Sequence, residues 1–511
     1  MSTTPHGLPT GVEGKFAHIG GFTDADAATH SDAALTDLAN RMMLTLDPND
    51  PKDGADDEEN LFVPAGYTYF GQFVDHDLTF DTISNFNDAG SAARAADQRT
   101  PRFDLDNVYG RGPDDQPYMY AEHGQLLLGD SLDNHVPDVA RNAFGRAIIG
   151  DPRNDENSIV VQLQAAMILF HNHMINRALD GDGTPPLGGS QAFDWARRRV
   201  QHHYQRLILD DYLPRIVDPE STSVKPIFDA LRAGAKPTLR LFGQGRGAYM
   251  PLEFSVAAYR FGHSMIRPGY RLATEAAGGT KKLISIFKGV TGGLRGFQRL
   301  ARDRGIDWHL FFHKGLVAGE ALSGAALAAN NADGNARSRT QFAYKIDTML
   351  VDPIGHLPPA VASNPSNLAA RNMLRGKLFH LPSGQTVARA LNIPIVDDNK
   401  LSVRVGDAFD NRLALSKINP EFAGNAPLWF YTLAEAEQQV IEAYAADPKA
   451  DPKTLGTRLT GVGAAIVVET FVGLMLADPD SVLNVNNGVF TSINGAPSFS
   501  MRELLTDIGA F

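Results

Sequence analysis

No cysteine occurs among the 511 residues. Disulfides, thiolate metal sites, iron–sulfur clusters and a thiol nucleophile are therefore excluded. Positive charge is not in excess either. Lys and Arg number 47 against 59 Asp and Glu, a formal net charge of -12, which argues against a general nucleic-acid or anionic-membrane binder. Long apolar runs are missing. The most apolar stretch, 461–477, carries Glu469 near its centre and is short for a membrane span, so it reads as a buried helix and no integral membrane segment is expected. The polar, Gly-rich residues 1–21 show no basic segment followed by an apolar one. No signal peptide is visible, and the expected location is cytoplasmic or reached by a non-classical export route. There is also no repeat, low-complexity tract or obvious linker.

What is present is ordinary for a soluble globular chain: 43% hydrophobic and 21% charged residues. Residues 158–180 place apolar side chains at helical spacing without an internal Gly or Pro. Stretches 192–212, 250–266, 306–330, 431–446 and 463–478 read as helices too, and an opening helix is expected within 61–80. Strand patterns are few and short, such as 401–405. Residues 82–120, rich in Asp, Gly, Pro and Asn, signal loop. The fold class expected is mainly α: one large helical domain over 61–511 with long loops and few short strands, after an irregular lead-in over 1–60. A length prior of about three domains is set aside because no linker is visible.

Five stretches carry chemistry. The first runs from Phe70 to Phe80 and holds Gln72, Asp75, His76 and Asp77. In a helix, Gln72, Asp75 and His76 share one face, while Asp77 lies about 100° round from His76 and serves a different site. Alone, such a triplet more often marks a satisfied core histidine. The second, Gly150 to Asn157, precedes the 158–180 helix. Asn154 or Asp155 could cap that helix, or Arg153 and Glu156 could stand over a site. The third sets Arg260 and His263 on an apolar helix beside Gly262. The fourth has Asn372 and Arg375 on an amphipathic helix. The fifth repeats oxygen-bearing side chains with period two, through Thr100, Arg102, Asp104 and Asp106, a pattern suited to a hard cation such as Ca²⁺.

In this order, the five stretches resemble the animal-type haem peroxidases of the peroxidase–cyclooxygenase superfamily, over about residues 60–480, with wording nearest the bacterial members. The resemblance implies haem b and Ca²⁺ as cofactors and H₂O₂ as substrate, with phenolic donors or small anions such as iodide, thiocyanate and bromide as reductants. It makes His76 the distal base, Arg153 the charge stabiliser and Gln72 a lining group of the distal cavity. His263 becomes the iron ligand, with Asn372 accepting its Nδ1–H, and Arg260 and Arg375 pair with the haem propionates. Asp75 and Glu156 match the carboxylates that form esters with haem methyls. Asp77, Thr100, Asp104, Asp106 and the carbonyl of Arg102 match the calcium ligands.

Two positions depart from the pattern. Asn157 stands where myeloperoxidase has the methionine of a third, sulfonium link, so a less oxidising haem is expected. Arg102 replaces an aromatic residue. The rival readings are a fatty-acid dioxygenase of the same superfamily and a non-catalytic haem-binding member. The first would want a tyrosine three residues before His263, where Arg260 stands; the second would lack Gln72, His76 or Arg153. Two histidine pairings are set aside as decoys: His171 with His173, which lack a nuclease context, and the adjacent His202 and His203, which cannot share a helix face.

Overall fold

The computed structural model describes residues 16–44, 58–79, 101–181, 186–243, 247–273, 283–287, 293–332, 339–359, 361–362, 364–406, 409–447, 449 and 454–511. Its architecture is mainly helical, and its strands are short and paired two by two. The first helices among the described residues are α1 (Asp32–Arg41), α2 (Gly66–Leu78), the single turn α3 (Asp106–Tyr109), α4 (Val160–Asp180) and α5 (Ser190–Leu207). The long helices Leu428–Ala446 and Gly461–Ala477 close the core.

Helix α2 is central because it is apolar on nearly every side. Phe70, Phe73, Val74 and Leu78 are buried, and each such side chain contributes about 1.5–3 kcal/mol on leaving water. Phe70 meets Tyr212 edge-on at 5.4 Å and Phe73 meets Tyr204 at 6.1 Å. A side chain at Gly71 would collide with the Tyr212 hydroxyl, so glycine there lets two tyrosines reach the α2 backbone. Tyr259 uses that approach, donating its hydroxyl to Gly71 O at 3.2 Å. Helix Gly461–Ala477 is buried as its composition implies. Glu469 is tolerated inside because its carboxylate accepts from the amides of Arg240 (2.7 Å), Leu241 and Phe242.

Three expectations are corrected. Residues 61–64 belong to a strand, Glu59–Pro64, which pairs antiparallel with Phe342–Tyr344, and the helix starts only after Pro64. The 306–330 stretch is broken into a short turn, Trp308–Leu310, and a helix, Gly324–Asn331. Gly319 at φ +86° and Gly324 at φ +55° sit in the left-handed region between them and end helical continuity. The lead-in is not wholly irregular. Helix α1 lies within it and buries Leu35 and Leu38 completely, with Ser31 accepting from the Ala34 amide as its cap. Among the described residues no helix is long and apolar enough to cross a membrane.

Candidate functional site

The distal face of α2 forms as helical geometry requires. Gln72, Asp75 and His76 all point toward the segment that leads into α4. The Gln72 amide donates to Glu156 and accepts from Asn157 Nδ2 at 3.2 Å. Asp75 lines a cleft that also receives Thr79 and Arg153. His76 is buried, and its Nδ1 lies 2.7 Å from Asn154 Oδ1. Burial, reinforced by the Arg153 charge, pushes the imidazole down to about 4, so the ring is neutral and able to take a proton at physiological pH.

Arg153 leaves the short turn Pro152–Asp155. Its guanidinium is held by Asp151 at 2.7 Å and donates to the carbonyls of His76 (3.1 Å) and Thr79. These carbonyls form the C-terminal end of α2, where a cation is favoured. Glu156 is pushed up to about 7, chiefly by burial, although Arg153 opposes the shift. Neither Asn154 nor Asp155 caps α4. That task falls to Asn157, whose Oδ1 accepts from the amides of Ile159 (3.1 Å) and Val160 (2.9 Å). Asp155 instead binds Arg141.

The opposite wall is the segment Glu253–Ala257 and Ala258–His263. Arg260 lines the cleft and donates from Nε to Ser255 O at 3.0 Å, while Trp429 Nε1 donates to the Arg260 carbonyl at 3.1 Å. Arg375 and Phe379 close the floor, from the helix Leu368–Leu378 and its end. His263 Nδ1 lies 2.8 Å from the amide of buried Asn372. The amide presents its nitrogen to the ring, whereas an acceptor oxygen was expected. With Nδ2 donating, Nε2 carries the ring proton. If His263 held a metal through Nε2, its proton would reside on Nδ1, and Asn372 would have to turn its amide to accept it through Oδ1. Burial, then the Arg260 charge, pushes His263 down to about 3, so the imidazole is neutral.

These groups fit a haem. The His263 imidazole is neutral, Arg260 and Arg375 give the cleft positive charge, and a side chain built at Gly262 would meet nothing within 4 Å. A planar group therefore has room beside His263.

The acidic cluster lies off the distal face, as the position of Asp77 on α2 requires. Asp77 is fully buried, and its carboxylate comes within 4.8 Å of those of Asp104 and Asp106, all three being mutually that close. Three carboxylates so placed suit a hard cation. Arg102 turns its side chain to Asp478 at 3.7 Å, which leaves only its carbonyl for a metal. Thr100 lies outside the described residues. The decoy histidines are structurally occupied. His171 bridges Tyr109 (3.1 Å) and Gly124 O (3.0 Å), His203 accepts from the Ile493 amide (2.8 Å), and His202 meets Asp480 O (2.9 Å).

Two site residues have no counterpart in the sequence reading. Asn154 was seen only as a cap, and Phe16 lines the cleft from within the supposed lead-in. Phe16–Ala17 pairs in parallel with Met250–Pro251, and Glu253 accepts from the Ile19 amide at 2.9 Å and contacts His18 Nδ1 at 2.6 Å. No local pattern announces either role, since both depend on residues far away in the chain.

Comparison with known proteins follows this geometry. The family model for the animal haem peroxidase matches residues 84–291, which include Arg102, Asp104, Asp106, Arg153, Glu156, Arg260 and His263 and leave α2 and Asn372 outside. The fold resembles peroxidase A from Dictyostelium discoideum with a TM-score of 0.56 at 14% identity, covering 93% of this chain and 89% of that one. Residues 84–291 thus resemble the animal haem peroxidases, and the fold of the described chain is like that of a peroxidase. A heme peroxidase 2 from Caenorhabditis elegans is 24% identical over 187 residues, 35% of this chain and 25% of the relative. The dual oxidase of Drosophila melanogaster is 27% identical over 140 residues, 27% of this chain and 8% of the relative. The chain thus matches a quarter or less of the length of these relatives. An Arabidopsis thaliana fatty acid alpha-dioxygenase shares the fold with a TM-score of 0.55 at 13% identity, covering 94% of this chain and 76% of that one.

Proposed function

We propose that this protein is a haem peroxidase that reduces H₂O₂ and oxidises phenolic donors and the anions iodide, thiocyanate and bromide. The observation that carries the reading is the cleft itself. It brings Asp75 and Arg153 of the His76 wall together with Arg260 and Arg375 of the His263 wall. When bound, haem supplies the iron at which the peroxide O–O bond is broken and the two oxidising equivalents are stored. His263 Nε2 would hold that iron, with Arg260 and Arg375 on the propionates. His76 would take a proton from one peroxide oxygen and return it to the other, which leaves as water. Arg153 would stabilise the negative charge that builds up as the bond breaks.

Gln72 beside this cationic wall offers a docking place for an anion. The Asn157 amide is committed to capping α4 and to Gln72, and it has no sulfur for a third link, so chloride is expected to react poorly. The test is stopped-flow spectroscopy of haem-loaded protein. Peroxide should produce a new spectrum that each donor then discharges. Rapid chloride turnover, or no spectral response to peroxide, would count against the reading. The dioxygenase alternative is disfavoured because Arg260 occupies the position three residues before His263, and Tyr259 is tied to Gly71 O and to Tyr212 at 3.0 Å.

Two further expectations arise from the same walls. Asp75 and Glu156 are expected to form ester bonds with haem methyls, and burial pushes Glu156 up to about 7. After peroxide turnover, acid–organic extraction should leave colour on the polypeptide. Complete extraction would mean that both carboxylates only hydrogen-bond. Calcium is expected between Asp77, Asp104 and Asp106. In the Asp77→Ala protein, metal analysis should find the calcium gone and peroxidase turnover should drop at least about tenfold, because a misplaced His76 loses general-base catalysis worth about 10²–10⁴. Active protein without calcium would refute the assignment.

A further inference from the structure

We infer that Asn154 is a positioning residue that fixes which ring nitrogen of His76 is free to act as base; this rests on the reading of His76 as the distal base. One group in this network has a fixed polarity. The backbone carbonyl of Asn107 can only accept, and it faces the Gln164 amide at 3.4 Å, a long contact that still requires Gln164 to present Nε2. Gln164 therefore turns Oε1 the other way, where Asn154 Nδ2 donates to it at 2.8 Å. Asn154 in turn directs Oδ1 at His76 Nδ1, 2.7 Å away.

Two acceptors at that distance would repel, so the proton of the neutral ring resides on Nδ1 and Nε2 carries the lone pair. Each link is buried: Asn107, Asn154 and Gln164 have no exposed surface, so water does not compete for their amides and an unsatisfied member would cost about 1–3 kcal/mol. Helix α3 anchors the start of the relay. The same Asn107 donates from Nδ2 to Phe73 O at 3.1 Å, and its carbonyl also accepts from the Asp151 amide at 3.0 Å. The relay thus ties α2, α3, the Arg153 turn and α4 into one unit whose output is the orientation of a single imidazole.

The experiment compares wild type with Asn154→Leu, which keeps the volume without polar atoms, and Asn154→Asp, which keeps the acceptor oxygen. Gln164→Met, which removes only the link behind Asn154, serves if the leucine variant fails to fold. Nitrogen-15 NMR of histidine-labelled, haem-free protein reads the His76 tautomer directly. Haem-loaded protein then gives the rate of the peroxide-dependent spectral change. We expect one Nδ1–H tautomer in wild type and Asn154→Asp. In Asn154→Leu or Gln164→Met we expect the tautomer to be lost and the peroxide step to slow by at least about tenfold, with haem affinity unchanged. An unchanged tautomer in the leucine and methionine variants overturns the inference. So does a lost tautomer with a wild-type peroxide step, provided His76→Ala is itself slow. If His76→Ala is also as fast as wild type, it is the base assignment that has failed.

Discussion

The His263→Ala protein is expected to fold and to lose stable haem binding. Its Soret absorbance and iron content should fall to background while its far-ultraviolet circular dichroism stays that of wild type. The imidazole is held for coordination by its surroundings: its Nδ1 is engaged by buried Asn372 at 2.8 Å and burial keeps it neutral. Haem can still touch Arg260 and Arg375 in the variant, but pairing at a partly exposed cleft is weak beside a metal–nitrogen bond. Asn372→Ala should fall between the two, weakening affinity about 10–100-fold, the usual effect of removing a partner that orients a metal ligand. A full Soret band in His263→Ala would place the iron ligand elsewhere.

The second large effect is expected on the other wall. His76→Ala should bind haem as wild type does, yet its peroxide step should slow by about 10²–10⁴-fold, the range for loss of a positioned acid–base group. Arg153→Lys should lose less. A lysine retains the charge but cannot donate in a fork to Asp151 and to the carbonyls of His76 and Thr79 at once. Following haem absorbance after rapid mixing with peroxide separates this defect from the binding defect of His263→Ala. A wild-type rate in His76→Ala would remove it from the reaction.

The arrangement of α2 was legible from periodicity, because i, i+3 and i+4 positions stack in any helix. That placed Gln72, Asp75 and His76 together and turned Asp77 away from them; the resemblance supplied Asp104 and Asp106 as its neighbours, and the geometry brings the three together. The long helices were readable for the same reason. The 306–330 stretch was not, since its apolar spacing is helical while Gly319 and Gly324 adopt left-handed backbone. Nor was the strand before α2, whose partner Phe342–Tyr344 lies far along the chain. The role of Asn154 was hidden for a deeper reason. An asparagine before a helix has a local use as a cap, and only the tertiary placement of Gln164 and Asn107 commits it to the imidazole.

The walls of the cleft come from Phe16 at one end of the chain and Phe379 well past its middle. A nascent chain that has emerged as far as His263 holds both histidines and Asp77, Asp104 and Asp106, yet it still lacks Asn372, the Arg375 floor and Phe379. The site is therefore a late product of biosynthesis. All the walls of the cleft exist only once the chain has emerged past Phe379, whereas the Phe16–Ala17 strand and its partner Met250–Pro251 are both present before that.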